Sequence, residues 1–321
     1  MVEGFTMFRE AFDFKVDELH LYGTLVKPEN PGPHPAVVFV HWSGPINRNC
    51  YGSYLPIWER FVRRGYACMS WDKPGTGESR GEYDRVHLFQ QRAQVVREGI
   101  RLLKKRGDID PNSIGLWGIS QAGWVMPLVA AGSEDVSFMI AVSCAGESGV
   151  RQGAYLIRRN LILEGLSEEE AERYGELYIK RNKAETYEEY LEYARPLNEQ
   201  QHIRDSLKWG KIEPPEVFVA NPPDFCQLID PAPYLEKISC PVLAMWGDKD
   251  TSIDVVQAVE AYRSALTKAG NNNFRIVVFP DTAHNMSRTL TGRPEEWRGK
   301  REKIPEYLDA MEKWLMKLRK I

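Results

Sequence analysis

No run of apolar residues in this chain approaches the roughly 20 that a membrane span requires. A strong charge of either sign is also missing. The net charge is −3 over 321 residues, so no long-range field selects nucleic acid or an anionic membrane as a partner. Cysteine is sparse: Cys50, Cys68, Cys144, Cys226 and Cys240 make five, an odd number, and no two are spaced Cys-x-x-Cys. That argues against structural zinc and against a disulfide framework. The thiols read instead as small buried apolar groups in a reducing compartment, and the expected location is cytoplasmic. The segment Met1-Val2-Glu3-Gly4-Phe5 lacks a basic stretch followed by an apolar one, so no secretion signal is expected. Internal repeats and low-complexity tracts are absent as well.

What is present is an ordinary globular balance, 43% hydrophobic and 27% charged, at a length that allows one large core with an inserted subdomain. Strands are expected at 12–16 and 19–26, then at 36–40, where Ala-Val-Val-Phe-Val is apolar throughout, as in a central strand covered on both faces. Helix and strand then alternate: a helix at 53–64 closed by Gly65, a strand at 66–71, a helix at 84–106, a strand at 113–117, a helix at 121–131 and a strand at 138–143. Such alternation predicts an open α/β sheet, mostly parallel, with helices on both faces. Near residue 146 it stops. Residues 150–209 are polar and helical, with capping boxes at Ser167…Glu170 and Thr186…Glu189 and a stop expected at Pro196. The sheet pattern resumes with a strand at 241–246, a helix at about 254–268, a strand at 275–279 and a closing helix from about Pro305. The expected organisation is a core in two parts, 1–145 and 233–321, interrupted by a helical cap at 146–232.

In open α/β sheets, reactive groups gather beyond the C-terminal ends of the strands. Gly118-Ile119-Ser120-Gln121-Ala122-Gly123 follows one strand and opens a helix. A serine on so sharp a turn is held exposed, and its neighbours must be small because strand and helix approach closely. Serine needs a base, and the base needs an orienting acid. The strand at 241–246 ends in Gly247-Asp248-Lys249-Asp250, where either aspartate could serve. Of the six histidines, only His41 and His284 follow directly on expected strand ends, and only His284 comes after those acids. His41-Trp42-Ser43-Gly44-Pro45 closes the strand at 36–40.

These segments, in this order, resemble the α/β-hydrolase superfamily, in the esterase and peptidase branch related to dienelactone hydrolases and prolyl oligopeptidases. The resemblance spans the chain apart from the cap. It implies the α/β-hydrolase fold and a Ser-His-Asp triad of Ser120, His284 and Asp250, since the family pattern of glycine, two residues, then the acid selects Asp250 over Asp248. It implies an oxyanion hole from the backbone N–H groups of Gln121 and Ser43, with Trp42 as the neighbouring alternative to Ser43. Ala122 and Trp42 stand where this family commonly has glycine. Asp72-Lys73-Pro74-Gly75-Thr76-Gly77-Glu78-Ser79 resembles a turn of the same family and reads as structural, because its spacing is not that of a phosphate loop. Trp42 and Trp124 are candidate substrate contacts. The cap carries Tyr155, Tyr174, Tyr178, Tyr187, Tyr190, Tyr193 and Trp209, which read first as packing residues.

The expected function is hydrolysis of carboxylic esters through an acyl-enzyme, with no cofactor and no metal. The substrate is a small ester or a short acyl or peptidyl compound, and neither nucleic acid nor membrane is a partner. Peptidase or aminopeptidase action, thioester cleavage and acyl transfer run on the same triad and remain alternatives, as does a non-catalytic binding protein on this fold. Oligomeric state is open, a homo-oligomer included.

Overall fold

The computed structural model describes residues 7–199, 212–222, 225–300 and 302–318. Eight strands form one sheet in the order β1-β2-β4-β3-β5-β6-β7-β8. They are β1 Phe8–Val16, β2 Leu19–Lys27, β3 His34–Val40, β4 Ala67–Trp71, β5 Ile109–Ile119, β6 Met139–Val142, β7 Val242–Gly247 and β8 Phe274–Phe279. The pairs β1/β2 and β2/β4 are antiparallel and every other pair is parallel. The mostly parallel α/β sheet expected from strand–helix alternation is therefore the architecture found, as the α/β-hydrolase resemblance also implies.

Alternation along β3 explains its uniform apolarity. Val38 and Val40 enter the core on one face of the sheet, with Phe89, Val96, Val125 and Tyr262. Val37 and Phe39 enter the core on the other, with Trp58, Phe61, Tyr307 and Trp314. The first face is covered by α2 (Leu88–Lys104), α3 (Ala122–Ala130) and the helix Val255–Lys268; the second by α1 (Leu55–Arg63) and the helix Pro305–Leu318.

Among the described residues, three long helices lie between β6 and β7, namely α4 (Gly149–Leu163), α5 (Glu168–Lys183) and α6 (Tyr187–Glu199), with a short one at Ala232–Leu235 just before β7. The expected capping boxes are present. Ser167 Oγ accepts from Glu170 N at 3.2 Å, and Thr186 Oγ1 from Glu189 N at 3.2 Å. These helices bury a small cluster of their own around Val150, Ile157, Leu161 and Tyr178. Gly153 permits the α4–α5 approach, since a Cβ there would lie 2.6 Å from the Tyr178 ring. Trp209 lies outside the described residues.

Two expectations fail locally. Pro196 does not stop its helix but lies inside α6. Its fixed φ suits a helix, and burial of Ala194 and Leu197 on either side offsets the lost hydrogen bond. The helix expected from residue 84 begins at Leu88, because Asp84 takes the N–H groups of Val86 (2.7 Å) and His87 (3.3 Å) into a turn. Among the described residues, no helix is long and apolar enough to cross a membrane.

Candidate active site

Ser120 sits between β5 and α3 with φ +59°, a left-handed backbone that is unusual for a residue other than glycine. Its N–H is anchored to Val142 O at 2.9 Å, and its carbonyl accepts from Gly123 N at 2.9 Å. The tightness of the turn is measurable. A Cβ on Gly118 would fall 2.5 Å from Ala122 Cβ, and one on Gly123 would fall 2.7 Å from Cys144 Cβ.

Beyond β7 and β8 two loops meet. A Cβ on Gly247 would lie 2.1 Å from Thr282 O, so only glycine admits this approach. The contact brings His284 Nδ1 to 2.7 Å from Asp250 Oδ2. The other Asp250 oxygen accepts from Ser252 N (2.8 Å) and Ile253 N (3.1 Å), so the carboxylate is fixed from both sides. Its side chain is fully buried. Asp248, by contrast, is exposed, and its carboxylate accepts from Thr282 N at 3.3 Å. The His284 carbonyl accepts from Ser143 Oγ at 2.8 Å, tying the His284 loop to the end of β6.

The third wall is the loop after β3. Lys73 Nζ donates to Trp42 O (3.0 Å) and Gly44 O (2.8 Å), so both carbonyls are committed to that nitrogen. Arg92, buried on α2, donates to His41 O and to Gln121 Oε1 and so links this loop to the N-terminus of α3. Among the described residues, neither the Ser43 nor the Gln121 backbone N–H has a hydrogen-bond partner. His41 itself is walled in. Its Nε2 donates to Trp71 O at 2.6 Å, and Nδ1 accepts from Tyr54 O–H at 2.9 Å. Burial, with the nearby Lys73 charge, pushes its pKa down to about 3, so it stays neutral.

These elements enclose a cavity of about 630 Å³. Ser120, His284, Gln121, Ser43, Trp42 and Trp124 all line it, and Asp250 stands behind His284. Trp124 stacks on Phe89, with ring centroids 5.4 Å apart, and its indole N–H is held by Glu147 O at 2.9 Å. The insertion contributes Leu156, Gln152 and Gln227, but none of its tyrosines. Tyr178 and Tyr190 are buried within the insertion. The aromatic walls come from elsewhere: Trp42, Tyr51, Phe89, Trp124 and Trp297.

Lys73 and Arg92 were not singled out from sequence. Arg92 had a visible signal, a charge set on the apolar stripe of Phe89, Val96 and Ile100. Lys73 lay inside a segment read as structural. That reading holds for its neighbour Asp72, which accepts from Arg48 and from Glu78 N. Among the described residues, no group of three His, Cys, Asp or Glu is arranged to hold a metal ion.

The sequence model for the X-Pro dipeptidyl-peptidase (S15) family matches residues 17–284, a stretch that runs from before β2 to His284. Esterase EstD of Thermotoga maritima is 23% identical over 306 residues, covering 92% of this chain and 66% of that protein. The quorum-quenching protein AidA of Acinetobacter baumannii is 25% identical over 128 residues, 40% of this chain and 41% of the other. The chain thus spans less than two thirds of the length of either curated relative. Among solved structures, the Pyrococcus furiosus esterase Pf2001 superposes with a TM-score of 0.60 at 17% identity, covering 98% of this chain and 91% of that one.

Proposed function

Because this chain belongs to the X-Pro dipeptidyl-peptidase (S15) family, we propose that it is a serine hydrolase that cleaves carboxylic esters by acyl transfer to water. One observation carries the reading: a serine on a left-handed strand–helix turn shares a cavity with a histidine whose Nδ1 is held 2.7 Å from a buried carboxylate. In this mechanism Ser120 Oγ attacks the ester carbonyl while His284 Nε2 takes its proton. Asp250 keeps the imidazole proton on Nδ1 and stabilises the cation that forms. The N–H groups of Gln121 and Ser43 receive the oxyanion. His284 passes the proton to the leaving alcohol, then activates the water that hydrolyses the acyl-enzyme. Arg92 and Lys73 act as positioning residues, holding carbonyls of the β3 loop so that its N–H groups are available.

Residues 146–232 act as the cap, closing the acyl pocket with Leu156 and Gln152. Small esters are the substrates, and the five unpaired thiols favour the cytoplasm as the location. Peptidase action is the second reading, favoured by the family's name. Dipeptidyl cleavage calls for an acid to take the substrate's ammonium group, and among the described residues no carboxylate lines the cavity. That ranks esters first.

A fluorophosphonate probe tests the assignment. Labelling of the folded protein should vanish in Ser120→Ala, and ester turnover should fall by up to about 10⁶-fold. Labelling that survives Ser120→Ala, or a folded wild type that does not label, overturns it.

A further inference from the structure

The charges around the cavity are one-sided. Arg298, Lys300 and Lys303 line it, and among the described residues no Asp or Glu does. None of the three cations is in an ion pair with a described residue. Arg298 and Lys300 are exposed at the mouth, whereas Lys303 is only 9% exposed. Its Nζ makes one hydrogen bond, to Asn285 O at 2.8 Å, which leaves donor capacity unused. Burial pulls its pKa down to about 8, so it is still mainly an ammonium at neutral pH. The nearby Cys50 thiol, pushed up to about 12 by burial, supplies no compensating thiolate. A buried cation without a counter-charge is unfavourable unless something else provides one.

The position of these cations says which half of a substrate they face. Asn285 follows His284 directly, and its Nδ2 donates to Trp297 O (2.9 Å) and Lys300 O (3.1 Å). The Trp297 ring lies 5.9 Å from the His284 ring. The cationic loop is therefore bound to the residue beside the base. In the mechanism above, the base returns its proton to the leaving oxygen, so the leaving group lies next to His284.

We propose that the substrate is an ester whose leaving group bears a carboxylate, held beside His284 by Lys303 with Arg298 and Lys300 at the entrance. This rests on the esterase reading. Of the three cations that line the cavity, Lys303 alone is buried and matches one negative charge, and the Trp297 ring adds an apolar surface to the same cavity. The acyl C–O bond breaks, the Ser120 Oγ–C bond forms, and the serine proton leaves on the hydroxyl of a hydroxycarboxylate.

Two measurements on the intact protein test this. The first is calorimetric binding of 4-hydroxybenzoate against 4-hydroxybenzamide. The second is kcat/KM for 4-acetoxybenzoate against 4-acetoxybenzamide. Wild type should prefer the anion by about tenfold or more in each, and Lys303→Met should reduce the preference to about twofold or less. Arg298→Ser/Lys300→Ser alters only exposed positions; it should lower the preference in a salt-sensitive way, and so remains informative if Lys303→Met fails to fold. Equal binding of the two compounds by wild type, or a preference untouched in both variants, overturns the proposal. Fluorophosphonate labelling separates the two readings. A labelled enzyme that favours the amide loses only the anion site; an unlabelled protein that favours the benzoate loses only the hydrolase assignment.

Discussion

An aspartate and an asparagine differ at Asp250 by one atom, yet that atom decides which imidazole nitrogen carries the proton. Oδ1 is satisfied by the Ser252 and Ile253 N–H groups, so an asparagine would keep its oxygen there and turn its NH₂ toward His284. Nδ1 would then accept, Nε2 would hold the proton, and the base would face Ser120 in the wrong tautomer. Asp250→Asn is expected to slow acylation by about 10⁴-fold with the fold intact. Burst kinetics with 4-nitrophenyl acetate measure this, and a loss below tenfold would remove Asp250 from the role. At this scale the sequence made the strand-end positions of Ser120, Asp250 and His284 legible, and the folded chain brings Ser120 and His284 to one cavity with Asp250 behind His284. The sequence was least informative where a charge acts from behind. Arg92 reaches both His41 O and Gln121 Oε1, a convergence of three distant segments that only the folded chain creates. The cations near the base were hidden for the same reason, because Asn285 draws Trp297 and Lys300 together through its side chain.

Between strands and helices, the close approach of β5 and α3 sets the geometry of the turn. Gly118→Ala adds a Cβ 2.5 Å from that of Ala122. We expect a stability loss of about 1–3 kcal/mol from overpacking, together with reduced turnover as Ser120 shifts. Gly107→Ala is the control, since a Cβ there meets nothing within 4 Å. Urea midpoints of the two variants check the prediction, and equal midpoints would refute it. Core elements could be read from sequence because each carries a clean period: β3 uniformly apolar, α2 apolar at helical spacing. Element ends were harder. Pro196 looks like a stop in isolation, but the burial of Leu197 depends on packing that no local window contains. Likewise, residues 84–87 have a helical pattern, but the Asp84 carboxylate competes for their N–H groups.

Across the whole molecule, buried bases set a common direction for stability against pH. Lys73, pulled by burial and then by Arg92 from its ordinary 10.5 to about 6, binds its proton more weakly in the folded protein than in the unfolded chain. Between about pH 6 and 10.5 the unfolded chain therefore holds more protons, and stability rises with pH across that window. Lys303, at about 8, adds the same sign from there to 10.5. His41, at about 3 against 6.5, adds it at lower pH and is level above 6.5. Comparing Lys73→Met with wild type isolates the first contribution. The unfolding free energy of wild type should gain on that of the variant between pH 6 and pH 9 in urea titrations. A constant difference at the two pH values would overturn the linkage.

Among the described residues, β8 is one of the two edge strands of the sheet, opposite β1. It pairs with β7 alone, and Val278 on it is exposed to solvent. The loop that follows it carries His284. A molecule whose β8 has come loose can retain the interior strands, most of both apolar cores and the Ser120 turn while the imidazole is absent from the cavity. Such a molecule would pass for native by compactness and helix content, yet on the proposed mechanism it would hydrolyse nothing. On the proposed mechanism, turnover is therefore a census of completion: it counts only chains whose final strand has docked.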